Sequence, residues 1–224
     1  MSTSCFMALV LALDVSGSVD MSDYALQREG FSAAFSDPEI IALIEQLPGG
    51  VAIATTTWAD ATDQHLTFDW AMVNSAETSL NMSRKFNGLS RLHTGPFTAV
   101  GSALKHANAQ FSRNPFNCMK NVIDISSDGK NNAGLDEEIV ANQVGLSNTM
   151  INALVIEHAQ DDLRPYYEER IIRGPGSFVI SAKSYSDYAE AIKNKLELEF
   201  NLIFASDWSS SDWSNEATNA ILSR

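Results

Sequence analysis

Short, β-rich apolar runs alternate with longer amphipathic stretches along almost the whole chain, and this alternation decides the fold class. The first run, Phe6–Leu13, reads FMALVLAL and has no position suited to water. A strand of that kind is buried on both faces, as happens in parallel sheets covered by helices. Strands are expected at Val51–Trp58 and at 64–73, the latter on a sheet edge, and at 119–126, 151–156 and 178–181. Helical spacing of apolar residues fills 22–35, 39–47, 75–86, 98–111, 135–146 and 186–200. Pro48-Gly49-Gly50 and Asn114-Pro115 end helices. Asp136, Glu137 and Glu138 open another, where the helix dipole favours acids. Ser186 is a candidate N-cap for the last helix. The expectation is an α/β fold with a mostly parallel central sheet and helices on both faces.

Size and charge narrow the partners. The 224 residues fit one domain, and a hydrophobic content of 45% supplies a core. The formal net charge is −13, which repels phosphate and argues against nucleic acid as the main partner. Phe6–Leu13 is far shorter than the roughly 20 apolar residues of a membrane-spanning helix. It lacks a basic leader and Asp14 closes it at once, so it reads as a buried strand and not as a signal peptide.

In open α/β sheets ligands bind beyond the carboxyl ends of the strands, so the residues that follow strands matter most. Asp14-Val15-Ser16-Gly17-Ser18 follows the first strand, and Ser127-Asp128-Gly129 follows the strand at 119–126. Thr98-Ala99-Val100-Gly101 opens a helix between them. All three segments are expected on one rim. They bring two carboxylates and several hydroxyls, with no thiolate or imidazole. Such a set suits a hard cation, Mg2+, Mn2+ or Ca2+, and not zinc. Alternate residues leaving a strand point the same way, so Asp14, Ser16 and Ser18 can converge. Hydroxyls are neutral ligands. They leave a bound cation electron-poor and ready to accept an anionic oxygen from outside.

Asp14-x-Ser16-x-Ser18, Thr98-x-x-Gly101 and Ser127-Asp128-Gly129 together resemble the metal-ion-dependent adhesion site (MIDAS) of von Willebrand factor type A (vWA) domains. The resemblance covers roughly residues 5–200. The stretches DVSGSVD, YALQREG, VIDISSDGKNNAG and GPGSFVI resemble a bacterial branch of that superfamily known only as a domain of unknown function. It implies a Rossmann-like three-layer vWA fold over residues 1–204 with a C-terminal tail at 205–224. It also implies a metal site of Asp14, Ser16, Ser18, Thr98 and Asp128, with the hydroxyls as direct ligands. Within this superfamily the strands ending at Asp14 and Asp128 are parallel neighbours. Cys5 and Cys118 precede those aspartates by nine and ten residues. Neighbouring strands lie about 4.8 Å apart, within reach of a disulfide, so a Cys5–Cys118 bond is expected. That bond implies an oxidising compartment, and with the resemblance it points to a bacterial periplasm or exterior.

Other residues carry two readings. Trp58 and Asp60 follow the second strand and could rim the metal face, or Trp58 could be an ordinary strand-end residue. His93 and Thr94 precede the Thr98 segment and are further candidates for a ligand rim. Asn131 and Asn132 follow the Asp128 loop, where turn chemistry is the favoured reading and ligand contact the alternative. Asp124 lies inside a buried strand, so an ion pair with a helix residue such as Arg28 is expected. The four histidines show no metal-binding or catalytic spacing. The tail holds Ser-Asp-Trp-Ser twice, which reads as a linker or as a docking segment.

The resemblance implies a non-enzymatic module whose cation takes the Asp or Glu of a protein partner. The alternatives are a metal-dependent hydrolase and a metal-free scaffold. Against the first stands the absence of a P-loop, a G-x-S-x-G elbow or an Asp-x-Asp pattern. Against the second stands the intact set of five residues.

Overall fold

A computed structural model describes residues 4–91, 95–157 and 162–208, with side chains through residue 201. Six strands form one sheet: β1 Ser4–Asp14, β2 Val51–Trp58, β3 Gln64–Val73, β4 Asn117–Ser127, β5 Thr149–Ile156 and β6 Val179–Ala182. Their order is β3-β2-β1-β4-β5-β6, and only β3 runs antiparallel to its neighbour. Around it lie α1 Met21–Ser36, α2 Pro38–Gln46, α3 Ala76–Asn87, α4 Val100–Gln110, α5 Glu137–Leu146, α6 Leu163–Arg170 and α7 Tyr188–Trp208.

The side-chain alternation of β1 sorts the core into two halves. Met7, Leu9, Leu11 and Leu13 join Phe31, Phe35, Phe86, Ile192 and Leu196 on one face. Val10 and Ala12 join Val100, Leu104, Val140 and Tyr167 on the other. Both faces of β1 are therefore covered by helices, which is why its apolar run is continuous. β3 is the predicted edge strand, with mostly half-buried side chains and register shifts against β2 near Thr55.

Local chemistry sets the helix starts. Asp20 caps α1 in a reciprocal box with Asp23. Asp37 caps α2, whose first residue is Pro38. Asp136 lies just outside α5, where it accepts a bond from Ile139 N. Ser186 does not cap α7. A short 3₁₀ turn, Tyr185–Asp187, precedes that helix, and Ser186 Oγ pairs instead with Ser184 Oγ at 2.6 Å.

The β1–β4 register pairs Cys5 with Cys118 and Leu13 with Ser126. The two cysteines are joined by a disulfide, with Cα atoms 4.4 Å apart, at the amino rim. The same register brings the ends of β1 and β4 together at the opposite rim. The chain winds from β1 toward β2 on one side and reaches β4 on the other. This is the switch point at which a crevice forms in open sheets.

Candidate metal centre

At that switch point three loops meet. Ser16 N donates to Asp14 Oδ1 at 2.8 Å, which folds the loop after β1 back over its own carboxylate. Ser127 Oγ, at the end of β4, donates to Asp14 Oδ2 at 2.5 Å. Ser18 Oγ donates to Asp128 Oδ1 at 2.6 Å. Ser16 Oγ lies 3.2 Å from Ser18 Oγ and 3.4 Å from Thr98 Oγ1. One hydrogen-bonded cluster thus holds Asp14, Ser16, Ser18, Thr98 and Asp128, with Ser127 as an unassigned sixth member. Asp14, Ser16, Thr98 and Asp128 are buried and Ser18 is exposed, so the cluster opens to solvent on the Ser18 side.

Two glycines permit this approach. A side chain at Gly17 would press on the Pro96 backbone at 3.1 Å, and one at Gly129 would meet Thr98 Oγ1 at 3.3 Å. Helix α4 begins without a side-chain cap. The Thr98 hydroxyl, two residues before it, turns to Ser16 instead.

Burial and the nearby Asp128 push the Asp14 carboxyl up to about 7, against the bonds from Ser127 and Ser16 that lower it. Two carboxylates crowded in a dry site repel each other. A divalent cation relieves that repulsion, and the donors are all hard oxygens, so this cluster fits Mg2+, Mn2+ or Ca2+. Among the described residues no group of three or more His, Cys, Asp or Glu side chains could hold a metal. The cluster supplies two carboxylates and relies on hydroxyls for the rest.

Residues around the cluster brace it. Asn132 clamps Thr98 at both ends of its backbone: Thr98 N donates to Asn132 Oδ1 at 2.8 Å, and Asn132 N donates to Thr98 O at 2.9 Å. Asn131 Oδ1 accepts from Gly101 N at 3.3 Å. Asp60 Oδ1 accepts from Phe97 N at 2.8 Å. These three side chains hold loops. Trp58 is a correction to the rim reading. It is 1% exposed, because β2 is buried on both faces and its last side chain turns into the α4 side of the core. His93 and Thr94 lie outside the described residues.

Sequence reasoning missed several braces. Arg91 donates to the carbonyls of Val15 and Ser16 at 3.0 and 3.1 Å. Gln27 Nε2 donates to Asp14 O at 3.2 Å, and Tyr167 OH donates to Gly129 O at 3.0 Å. None of these has a spacing that marks it. Asp124 does pair with a helix, but through Lys195 of α7 at 2.8 Å, while Arg28 lies beside Glu29 at 3.9 Å.

Residues 4–203 match a family described as "Protein of unknown function (DUF1194)". The chain belongs to the DUF1194 family. A search of curated protein sequences finds no match. The fold is that of vWA domains. It is similar to proximal thread matrix protein 1 of the mussel byssus, solved "with zinc occupied MIDAS motif", at 15% identity and a TM-score of 0.66. It is also similar to the pilus adhesin SpaC of Lactobacillus rhamnosus GG, at 14% identity and a TM-score of 0.63. A von Willebrand factor type A protein of Catenulispora acidiphila matches at 16% identity and a TM-score of 0.57. The three matches cover 89%, 88% and 85% of this chain, but only 49%, 30% and 42% of the respective relatives. The DUF1194 domain thus spans half or less of those proteins.

Proposed function

We propose that this DUF1194 domain is a non-enzymatic, cation-dependent binding module of adhesion type. Its occupant would be Mg2+, Mn2+ or Ca2+, held by Asp14, Ser16, Ser18, Thr98 and Asp128, and its partner a protein that presents an Asp or Glu. The observation that carries the reading is the single cluster formed by those five residues at the sheet's switch point. When bound, the cation supplies an open position for an anionic oxygen. The chain's own residues do the rest. Asp14 and Asp128 provide the charge, the three hydroxyls add oxygen donors without adding charge, and Asn132 fixes Thr98 against the β4 loop. The hydroxyl-rich set is suited to binding more than to turnover, since the cluster contains no histidine or lysine to move a proton. The MIDAS of the mussel protein and the adhesin role of SpaC agree with this reading.

The Cys5–Cys118 disulfide favours an oxidising compartment, periplasm or exterior. Among the described residues no helix is long and apolar enough to cross a membrane. We assign residues 1–204 to the domain and 205–224 to a tail. Helix α7 runs on to Trp208, and the tail beyond it lies outside the described residues.

A blocked pentapeptide, Gly-Gly-Asp-Gly-Gly, tests the carboxylate step. Added to chelator-treated protein with and without Mg2+, it should shift amide resonances of the Ser16, Thr98 and Asp128 loops only when Mg2+ is present. Asp14→Ala should abolish the effect. Shifts that ignore Mg2+, or none in protein with bound Mg2+, contradict the proposal.

A further inference from the structure

Half of the large exposed apolar side chains lie at one rim. Among the described residues eight large ones are exposed, and four of them, Met21, Phe97, Leu135 and Ile139, sit on loops or first helical turns at the rim that bears the acidic cluster. Phe97 is the nearest in sequence, next to Thr98, and is 52% exposed while Thr98 is 5% exposed. Its backbone is bonded at Phe97 itself and at the two residues that follow. Phe97 N is bonded to Asp60, Thr98 is clamped by Asn132, and Ala99 N donates to Ala59 O at 2.9 Å. Gly95 packs so closely on Asp60 that a side chain there would lie 2.5 Å from the carboxyl carbon. The loop therefore presents an aromatic ring to solvent from a hydrogen-bonded backbone. The exposed ring gains little burial energy on folding, and nothing in the loop's bonding requires an aromatic residue.

Resting on the reading above, we propose that Phe97 is a specificity-determining contact, and that the partner carries an aliphatic or aromatic residue directly beside the acidic residue that meets the cation. A carboxylate alone identifies no partner, because every protein surface has many. A chain of net charge −13 also repels acidic proteins in general. Discrimination must come from a contact that does not depend on charge, and a buried aromatic anchor is the usual form of such a contact. Phe97 and Thr98 are sequence neighbours, with Cα atoms about 3.8 Å apart. The pair proposed for the partner is an acid with an apolar residue next to it.

Two blocked peptides of equal charge, Gly-Gly-Asp-Gly-Gly and Gly-Leu-Asp-Leu-Gly, test this against Mg2+-loaded protein by amide NMR titration. The leucine peptide should bind about tenfold more tightly, as expected for partial burial of a leucine side chain. Phe97→Ser should bring the two affinities together, with Mg2+ titration of the variant serving as the check that the cluster is formed. Equal affinities for the unaltered protein, or a preference that survives Phe97→Ser, overturn the proposal and leave the carboxylate reading standing. If neither peptide binds to protein that holds Mg2+, the carboxylate reading fails and this one falls with it.

Discussion

Replacing Lys195 by methionine should cost this domain about 3–5 kcal/mol, the range found when one partner of a buried ion pair is removed. Lys195 and Glu199 are fully buried and Asp124 is 2% exposed. The ammonium lies 2.8 Å from Asp124 Oδ1 and 2.8 Å from Glu199 Oε1, while Asn152 Nδ2 also donates to Glu199 Oε1 at 3.1 Å. Burial alone would lower the lysine pKa, but Asp124 and Glu199 overcome it and raise it. Burial, only partly offset by Lys195, pushes Asp124 up to about 7. Without the ammonium, Asp124 and Glu199 are left buried with no cation beside them. The assay is urea unfolding at pH 7, with the disulfide intact and chelator present. Adding Asp124→Asn and Glu199→Gln to Lys195→Met removes the uncompensated charges and should recover more than half of the loss. A single variant within 1 kcal/mol of the parent, or a triple variant no better than the single, refutes the reasoning.

Other outcomes follow from the same geometry. The disulfide joins residues 113 apart, so Cys5→Ala/Cys118→Ala should lower unfolding stability by about 3–5 kcal/mol; a loss below 1 kcal/mol in urea would show that β1 and β4 hold that rim unaided. Asn132→Ala removes the side-chain acceptor of Thr98 N, leaves the backbone bond to Thr98 O, and should weaken Mg2+ about tenfold, as removal of a supporting partner does at metal sites. Unchanged affinity by calorimetry would assign Asn132 to the turn alone. Asp124 binds a proton more tightly folded than unfolded, so its contribution to stability is full below about pH 4 and is lost as pH rises toward 7. Asp14 is raised in the same way, so melting temperature in chelator should fall between pH 5 and pH 8, and Asp124→Asn should reduce that fall without abolishing it.

Much of this was legible in the sequence because the elements that build the site are extreme. A strand buried on both faces leaves a continuous apolar run, and the polar residues that follow it mark its end, so Asp14 and Asp128 could be placed on one rim. The cysteine pairing needed the family resemblance, which makes the strands ending at Asp14 and Asp128 neighbours, before the offsets could set Cys5 beside Cys118. What was hidden depends on contacts between distant segments. Lys195 sits in an outwardly ordinary run, AIKNKLELEF, and reads as a solvated helix charge. Only the packing of α7 on β4 and β5 shows it buried. Arg91, Gln27 and Tyr167 brace the site singly from three elements, and no local pattern distinguishes them from surface or core residues. Helix α6, LRPYYEER, gave no signal because it is polar and carries Pro165 in its first turn. Trp58 misled because in a doubly covered strand neither parity points outward.

The most direct test is calorimetric titration of Mg2+, Mn2+ and Ca2+ into chelator-treated protein, alongside Asp14→Ala and Thr98→Ala. Saturable binding at one site, abolished by Asp14→Ala and strongly weakened by Thr98→Ala, is the predicted result. Absence of binding, or binding that survives both substitutions, would contradict the assignment of the cluster as a metal centre.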